Sequence, residues 1–360
     1  KGFDGVAMFG TREARKMDRF TQFAVAAANE AIKDAGLTID PANRDRVGVL
    51  IGTGIGGIGT MIDNWELFKE RGPERVSPFL IPMMISDSAA GILAIRTGAR
   101  GPNMSLATAC ATGTNALGEA AEMIRREAAD VMLVGSSEAA IVSLAMAGLN
   151  VMTALSTRND NPEGASRPFD KNRDGFLMGE GAGMLVLESL DSARRRNVRI
   201  LCEFLGYGSS DDAYHVTAPE ENGAGAAIAM QLALADAGLR PEDIGYINAH
   251  GTSTQLNDKS ETAAIKKVFG AQAYRVPISS TKSMTGHLLG ASGSLEAVIC
   301  TKVLNDHILP ATTNYETPDP ACDLDYIPNT PRPAQPRYVM SNSFGFGGHN
   351  ASLILSRFEA

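Results

Sequence analysis

Four short motifs rich in small residues carry the groups able to do chemistry. They are Ala-Thr-Ala-Cys110-Ala-Thr-Gly, Asn-Ala-His250-Gly-Thr-Ser-Thr, Ser-Thr-Lys282-Ser-Met-Thr-Gly-His287 and Ser-Asn-Ser-Phe344-Gly-Phe-Gly-Gly-His349-Asn. Cys110 follows an apolar, extended run, Met104 to Ala107, and opens a segment whose apolar residues Ala116, Leu117, Ala120, Ala121 and Ile124 recur at helical spacing. That places the sulfur at a helix N-terminus, where the dipole and free amides favour a thiolate. A nucleophilic thiol beside two imidazoles, His250 and His287, and one ammonium, Lys282, suits acyl transfer coupled to chemistry on a carbanion or enolate. A decarboxylative Claisen condensation requires that combination.

Each residue also has a plainer reading. A cysteine among Ala and Thr is most often a buried small hydrophobe. The small neighbours of Cys110 leave room for a substrate, and a strand-to-helix position aims its sulfur outward, as in other nucleophile turns. Cys202, Cys300 and Cys322 lack such a setting and read as packing residues. His250 ends a hydrophobic strand, where its alternative is a strand cap, and the alternative for His287 is a cap at the start of the next helix. Lys282 lies in an otherwise uncharged stretch and needs a carboxylate if it leaves water; Asp258, Glu261 and Glu296 are the candidates. The turn after Phe344 has glycines that let backbone amides approach a ligand, but not the spacing of a dinucleotide loop. Gly52-Thr-Gly-Ile-Gly-Gly-Ile-Gly59 lacks a following Lys-Ser/Thr and reads as a bend in a pocket wall. His215, His307 and His349 have no metal-ligand spacing and read as structural; no metal site is expected.

These groups need a scaffold to converge, and the chain repeats itself. Asp34-Ala-Gly-Leu37 leads through a polar loop to Val47-Gly-Val-Leu-Ile-Gly-Thr-Gly54, and Asp236-Ala-Gly-Leu239 leads likewise to Ile244-Gly-Tyr-Ile-Asn-Ala-His-Gly251. Both read as a helix stopped by Gly, then a buried strand. Cys110-Ala-Thr-Gly-Thr114 is echoed by Gly290-Ala-Ser-Gly-Ser294, and Gly175 to Leu187 by Ser343 to Leu355. Three pairs in the same order imply two related α/β halves, residues 1–200 with the nucleophile and 201–360 with the histidines, lysine and Gly-rich turn. The halves differ by insertions at about Ile55 to Leu80 and Ser143 to Asp174, where a duplicated scaffold places pockets and subunit contacts.

With 360 residues, 44% of them hydrophobic, the chain can bury a large core. No apolar stretch is long enough to span a bilayer. Four scattered cysteines without a CxxC pair fit a reducing compartment, and a net charge of -8 argues against nucleic acid as a partner. An acidic partner would need a local basic patch.

The motifs, together with Ala154-Leu-Ser-Thr-Arg-Asn-Asp160, Arg167-Pro-Phe-Asp170, Arg173-Asp-Gly-Phe176, Asp212-Ala-Tyr-His215 and Glu221-Asn-Gly-Ala-Gly225, resemble the elongating β-ketoacyl-acyl carrier protein synthases of type II fatty-acid synthesis. The resemblance spans essentially the whole chain. It implies the thiolase fold, an α/β fold of five layers (αβαβα) built from two similar halves, and a homodimer. Relatives of this kind begin with about fifty further residues that carry the first strand of the N-terminal half, so that half is expected to be incomplete here. The implied reaction joins an acyl-carrier to a malonyl-carrier thioester by a ping-pong route, the alternative being a polyketide ketosynthase. The resemblance makes Cys110 the acylated nucleophile, His250 and His287 the pair that polarises the malonyl carbonyl, and Lys282 their support. It assigns the oxyanion hole to the amides of Cys110 and Phe344, with Phe344 also a gate, the pantetheine arm to Thr252 and Thr254, and the acyl pocket to Ile55, Leu149 and Phe344. Ile55 would face the partner subunit. Phosphopantetheine would arrive on the acyl carrier protein, with no cofactor of the enzyme's own, no membrane and no nucleic acid. The carrier would dock on Arg12, Arg15, Lys16 and Arg75, Glu74 and Thr153 standing where basic residues can occur. The implied compartment is the cytoplasm, or an organelle stroma or matrix. A degradative thiolase would use a second cysteine near the C-terminal Gly-rich turn, an initiating synthase an Asn beside the His, and a non-catalytic chain-length partner would lack Cys110. Departures from the pattern are Gln255 for a usual proline, Leu149 for a common Phe and His349 for a frequent Thr.

Overall fold

The computed structural model describes residues 2–359. Three N-terminal helices, α1 (Gly5–Phe9), α2 (Thr11–Ala14) and α3 (Arg19–Asp34), lead to β1 (Val47–Gly52), α4 (Ile58–Arg71), α5 (Leu80–Met84), α6 (Ser88–Thr97), β2 (Asn103–Met104), α7 (Thr112–Arg125), β3 (Val131–Glu138), α8 (Ser143–Val151) and β4 (Gly181–Glu188). After α9 (Leu190–Arg196) come β5 (Glu203–Asp211), α10 (Ala224–Ala237), β6 (Ile244–Asn248), α11 (Gln255–Phe269), β7 (Ile278–Ser279), α12 (Lys282–Thr285) and α13 (Ser292–Asp306). The chain closes with a small pair, β8 (Ile308–Leu309) and β9 (Arg332–Pro333), then β10 (Tyr338–Phe344) and β11 (His349–Ser356).

The first sheet runs β2-β1-β3-β4 and the second β5-β11-β10-β6-β7. Read from β7, four of the five strands of the second sheet match the first sheet, β5 having no counterpart: parallel at β7-β6-β10 as at β2-β1-β3, and antiparallel at β10-β11 as at β3-β4. The repeat read from the sequence is thus a repeat of topology. Strands β1 and β3 are buried throughout, as parallel strands covered on both faces must be. Their alternation sorts side chains into layers. Val47, Val49, Ile51, Val131 and Leu133 face α3 and α6 outside, whereas Leu50, Met132 and Val134 face a middle layer shared with Leu117 of α7, Val303 of α13 and Leu353 of β11. On the far side Met340 and Ile354 pack on Met230 of α10 and Ile265 of α11. The order is therefore helix, sheet, helix, sheet, helix.

Helices α7 and α13 cross in the middle at small residues. A Cβ on Gly113 would lie 2.4 Å from the Ser294 amide, and one on Gly293 would lie 2.6 Å from the Thr114 amide. This contact brings the N-termini of both helices, and the residues just before them, to one point between the sheets. The insertions form α4 and α8 with their flanking loops, the first leading into α5. The extended run before Cys110 is shorter than its sequence indicates, with only Asn103 and Met104 in the ladder.

Candidate active site

Cys110 sits two residues before α7 in a tight turn where the preceding Ala109 adopts φ 48, a left-handed conformation that costs a non-glycine residue about 1–3 kcal/mol and clusters at functional sites. His250 follows β6, its turn held by Glu261, whose carboxylate accepts the amides of His250 and Gly251, both at 2.8 Å. His287 lies between α12 and α13. Its Nε2 is 3.1 Å from Cys110 Sγ and its Nδ1 is 2.9 Å from Ser292 Oγ. The His250 and His287 rings meet edge to face at 5.4 Å, with Phe176 edge-on to His287 at 5.0 Å and Phe344 against His250 at 5.8 Å. Both histidines and Cys110 are buried.

Burial dictates the protonation states. Desolvation and then the charge of Lys282 hold both imidazoles well below their usual pKa, so each is neutral near pH 7. The same burial pushes the Cys110 thiol up to about 12, against the pull of Lys282 and of an amide hydrogen bond from Phe346. The sequence suggests a thiolate at a helix N-terminus. In the structure desolvation outweighs that effect, and the resting group is a thiol hydrogen-bonded to His287. Of the three carboxylates proposed for Lys282, Glu296 is the partner, at 2.5 Å. Glu261 serves the His250 turn, and Asp258 accepts the amides of Phe169 and Ser253 and lies 3.5 Å from Arg173.

A second correction concerns the Gly-rich turn. Phe344 is the last residue of β10, in register with Asn350 of β11, so its backbone is fixed by a sheet. The amide that reaches the sulfur is that of Phe346, two residues on. Gly345 packs so closely that a Cβ there would lie 2.9 Å from the Cys110 amide nitrogen, and Gly347 and Gly348 take φ 87 and 84. The Phe346 amide thus stands at the sulfur where the sequence reading expects that of Phe344, and the Phe346 backbone lies outside the strand. The repeated Phe-Gly in the motif concealed which phenylalanine leaves the strand.

These groups open into one cavity of about 730 Å³ lined mostly by apolar atoms. Ile55, Leu149, Phe344 and Phe346 lie on its wall, as do Thr252 and Thr254, whose hydroxyls are 3.0 Å apart. Gln255 also lines it, its amide donating to the Arg173 carbonyl. The remaining predicted residues are the four basic ones expected to dock the carrier. Arg12, Arg15 and Arg75 are exposed, while Lys16 is half-buried and shares its charge with Glu13 at 2.8 Å. Cys300 and Cys322 are buried in cores and Cys202 is partly buried. His215 accepts two loop amides, His307 caps α13, and His349 lies 3.5 Å from Asp211. Cys110, His250 and His287 place one ligand atom each within 4.8 Å of one another, a trio that a thiophilic metal ion could also use. Sequence reasoning missed Ser292 and Phe176, which orient His287; only the serine had a visible signal, in the echo between the two helix starts.

A five-layered duplicated fold that holds a buried Cys-His-His-Lys set at the base of an apolar cavity defines a condensing acyltransferase of the thiolase fold. Residues 3–193 match the family of β-ketoacyl synthase N-terminal domains and residues 201–316 that of the C-terminal domains. The 3-oxoacyl-[acyl-carrier-protein] synthase 2 of Synechocystis is 51% identical over the full chain and 86% of its own length, and that of Staphylococcus aureus is 52% identical over 97% of the chain and 84% of its own. A β-ketoacyl synthase from Burkholderia phymatum superposes with a TM-score of 0.91 at 38% identity, covering 99% of this chain and 87% of that one. A type II polyketide ketosynthase, solved with its acyl-carrier protein and bound to the hexaketide, gives 0.92 at 35%, covering 100% and 92%. The chain belongs to the β-ketoacyl synthase family.

Proposed function

We propose that the chain elongates fatty acids by decarboxylative Claisen condensation of an acyl-(acyl carrier protein) with malonyl-(acyl carrier protein), in ping-pong through an acyl thioester on Cys110. The carrying observation is the contact of Cys110 Sγ with His287 Nε2 at 3.1 Å, with His250 alongside, at the base of the apolar cavity. In the first half-reaction the sulfur attacks the acyl carbonyl, the carrier's C–S bond breaks, and the thiol proton passes to the departing pantetheine sulfur. Lys282 and the Phe346 amide favour the negative sulfur, and His287 Nε2 is within reach of the proton. The amides of Cys110 and Phe346 stabilise the oxyanion.

In the second half-reaction neutral His250 and His287 donate to the malonyl thioester oxygen. Carbon dioxide leaves, the released electron pair forms an enolate, and its carbon attacks the acyl carbonyl. Collapse expels the Cys110 thiolate, which takes up one proton. Fixed neutral donors in a dry site favour the enolate without a proton transfer. Ser292, a hydroxyl that can donate or accept, lets the His287 ring carry its proton on either nitrogen.

Thr252 and Thr254 hold the pantetheine arm, and Ile55 and Leu149 line the acyl chain's path. No cofactor of the enzyme's own takes part, and phosphopantetheine arrives on the carrier. The exposed Arg12, Arg15 and Arg75 suit an acidic carrier, and exposed Trp65, Phe68, Ile81 and Leu144 suit a homodimer. Among the described residues no helix is long and apolar enough to cross a membrane; the resemblance, separately, implies the cytoplasm or an organelle stroma or matrix. The polyketide alternative draws support from the ketosynthase likeness. Product analysis with defined acyl carriers distinguishes them: one saturated primer extended by one two-carbon unit supports fatty-acid elongation, and repeated extension without reduction supports the alternative.

A further inference from the structure

Glu138 ends β3 with its side chain fully buried, and the reaction just described has no use for it. Its carboxylate accepts four hydrogen bonds, from Thr53 Oγ1 at 3.0 Å and from the amides of Gly54 at 2.8 Å, Ile55 at 3.2 Å and Gly290 at 3.1 Å. None of the four donors is a cation. They come from two separate walls of the cavity. Gly54 and Ile55 belong to the loop after β1, whereas Gly290 follows the cavity-lining Leu289 and stands three residues beyond His287. The walls meet here at backbone distance, since a Cβ on Gly290 would lie 2.3 Å from the Gly54 amide. Burial pushes the Glu138 carboxyl up while the four donors hold it down, as expected of a carboxylate kept for its acceptor capacity.

We propose that Glu138 is a positioning residue for chain-length selection: it clamps the Ile55 loop to the loop after His287 and so fixes the end of the acyl cavity relative to the reacting sulfur. The proposal rests on the reading of that cavity as the acyl site. A glutamine at 138 keeps one acceptor oxygen and turns an NH₂ toward amides that donate, so about half of the clamp is lost without a change of volume. One methylene of mismatch in an apolar pocket is worth about 10–200-fold in specificity, so a loosened wall should flatten the profile rather than stop the chemistry.

The test measures condensation rates on a ladder of acyl carriers, carbon dioxide release from malonyl carrier, and the melting midpoint. The variants are Glu138→Gln, Thr53→Val, which removes one donor to the carboxylate and the acceptor of the Gly56 amide in the same loop, and Ile55→Phe, which fills the cavity directly. The expected result is a loss of about tenfold in discrimination at the long-chain limit for Glu138→Gln and a smaller loss for Thr53→Val, with carbon dioxide release unchanged. If Glu138→Gln does not fold, Thr53→Val decides. A shifted profile in Ile55→Phe with wild-type profiles in the other two overturns the clamp and leaves the acyl cavity standing. A uniform loss on every chain length and in carbon dioxide release, at a lowered melting midpoint, overturns it in favour of a purely structural role. An unchanged profile in Ile55→Phe as well removes the acyl reading, and the proposal with it.

Discussion

Replacing His250 with alanine separates the two half-reactions, because only His287 touches the nucleophile. The Cys110–His287 contact at 3.1 Å and the Phe346 amide both survive the change, so acyl transfer to Cys110 should proceed at close to the wild-type rate. Decarboxylation loses one of two fixed donors, and loss of one such donor lowers rates by about 10²–10³. Stability should fall less than for a typical buried aromatic. Truncating such a ring costs about 3–5 kcal/mol, but His250 Nδ1 is buried without a partner, and removing an unsatisfied group returns about 1–3 kcal/mol, which leaves a net loss of about 2 kcal/mol. The assay follows the acyl-enzyme burst with radiolabelled acyl carrier and, separately, carbon dioxide release from malonyl carrier, with melting as the folding control. Release within threefold of wild type, or acylation falling as far as release, would refute the division of labour.

Phe346→Ala should impair discrimination between acyl and malonyl carriers in a competition assay at an unchanged melting midpoint, whereas Phe344→Ala, in a strand, should chiefly lower stability; the reverse pattern counts against a gate at Phe346. Arg15→Glu with Lys16→Glu should raise KM for carrier-bound substrate in a manner screened by salt over about 8–10 Å, and leave turnover of pantetheine analogues intact; most of the effect should come from Arg15, since Lys16 is already paired with Glu13. The two histidines bear on pH stability. Their folded pKa values lie below the unfolded 6.5, so the unfolded chain binds more protons in acid, and each contributes stability that is complete above about 6.5 and is lost as pH falls toward its folded pKa, about 1.4 kcal/mol by pH 5.5. Glu261 and Glu296, held up to about 7, act in the opposite sense, so the quantity to measure is the difference between wild type and His287→Gln by urea unfolding at pH 8 and 5.5. It should narrow by about 1.4 kcal/mol, and a constant difference contradicts the neutral, desolvated ring.

The chemistry was legible in the sequence because it rests on residue types that few other contexts explain: a cysteine at a strand-to-helix step, two histidines and a lysine without neighbouring charge. The duplicated layers were legible because helix stops and buried strands recur in order. What sequence could not supply was anything decided by distance. Three acids stand at plausible separations from Lys282, and only packing shows that Glu296 points inward while Asp258 and Glu261 are taken by Arg173 and backbone amides. Phe344 and Phe346 are each followed by a glycine, and which one leaves the sheet depends on the β10–β11 register. The thiol's protonation likewise depends on a balance between a helix terminus and burial, and burial has no local sequence signature. Glu138 escaped notice for a related reason, since its four donors are three backbone amides and one threonine.

The central claim is that Cys110 carries the acyl chain between two carriers. Intact-protein and peptide mass spectrometry, after mixing with acyl carrier and then with malonyl carrier, tests it directly. The account predicts one acyl increment, confined to the peptide that contains Cys110, which disappears on addition of malonyl carrier with release of one carbon dioxide per chain. An increment on the peptide of Cys202, Cys300 or Cys322, or continued condensation by a Cys110→Ala variant, would contradict it.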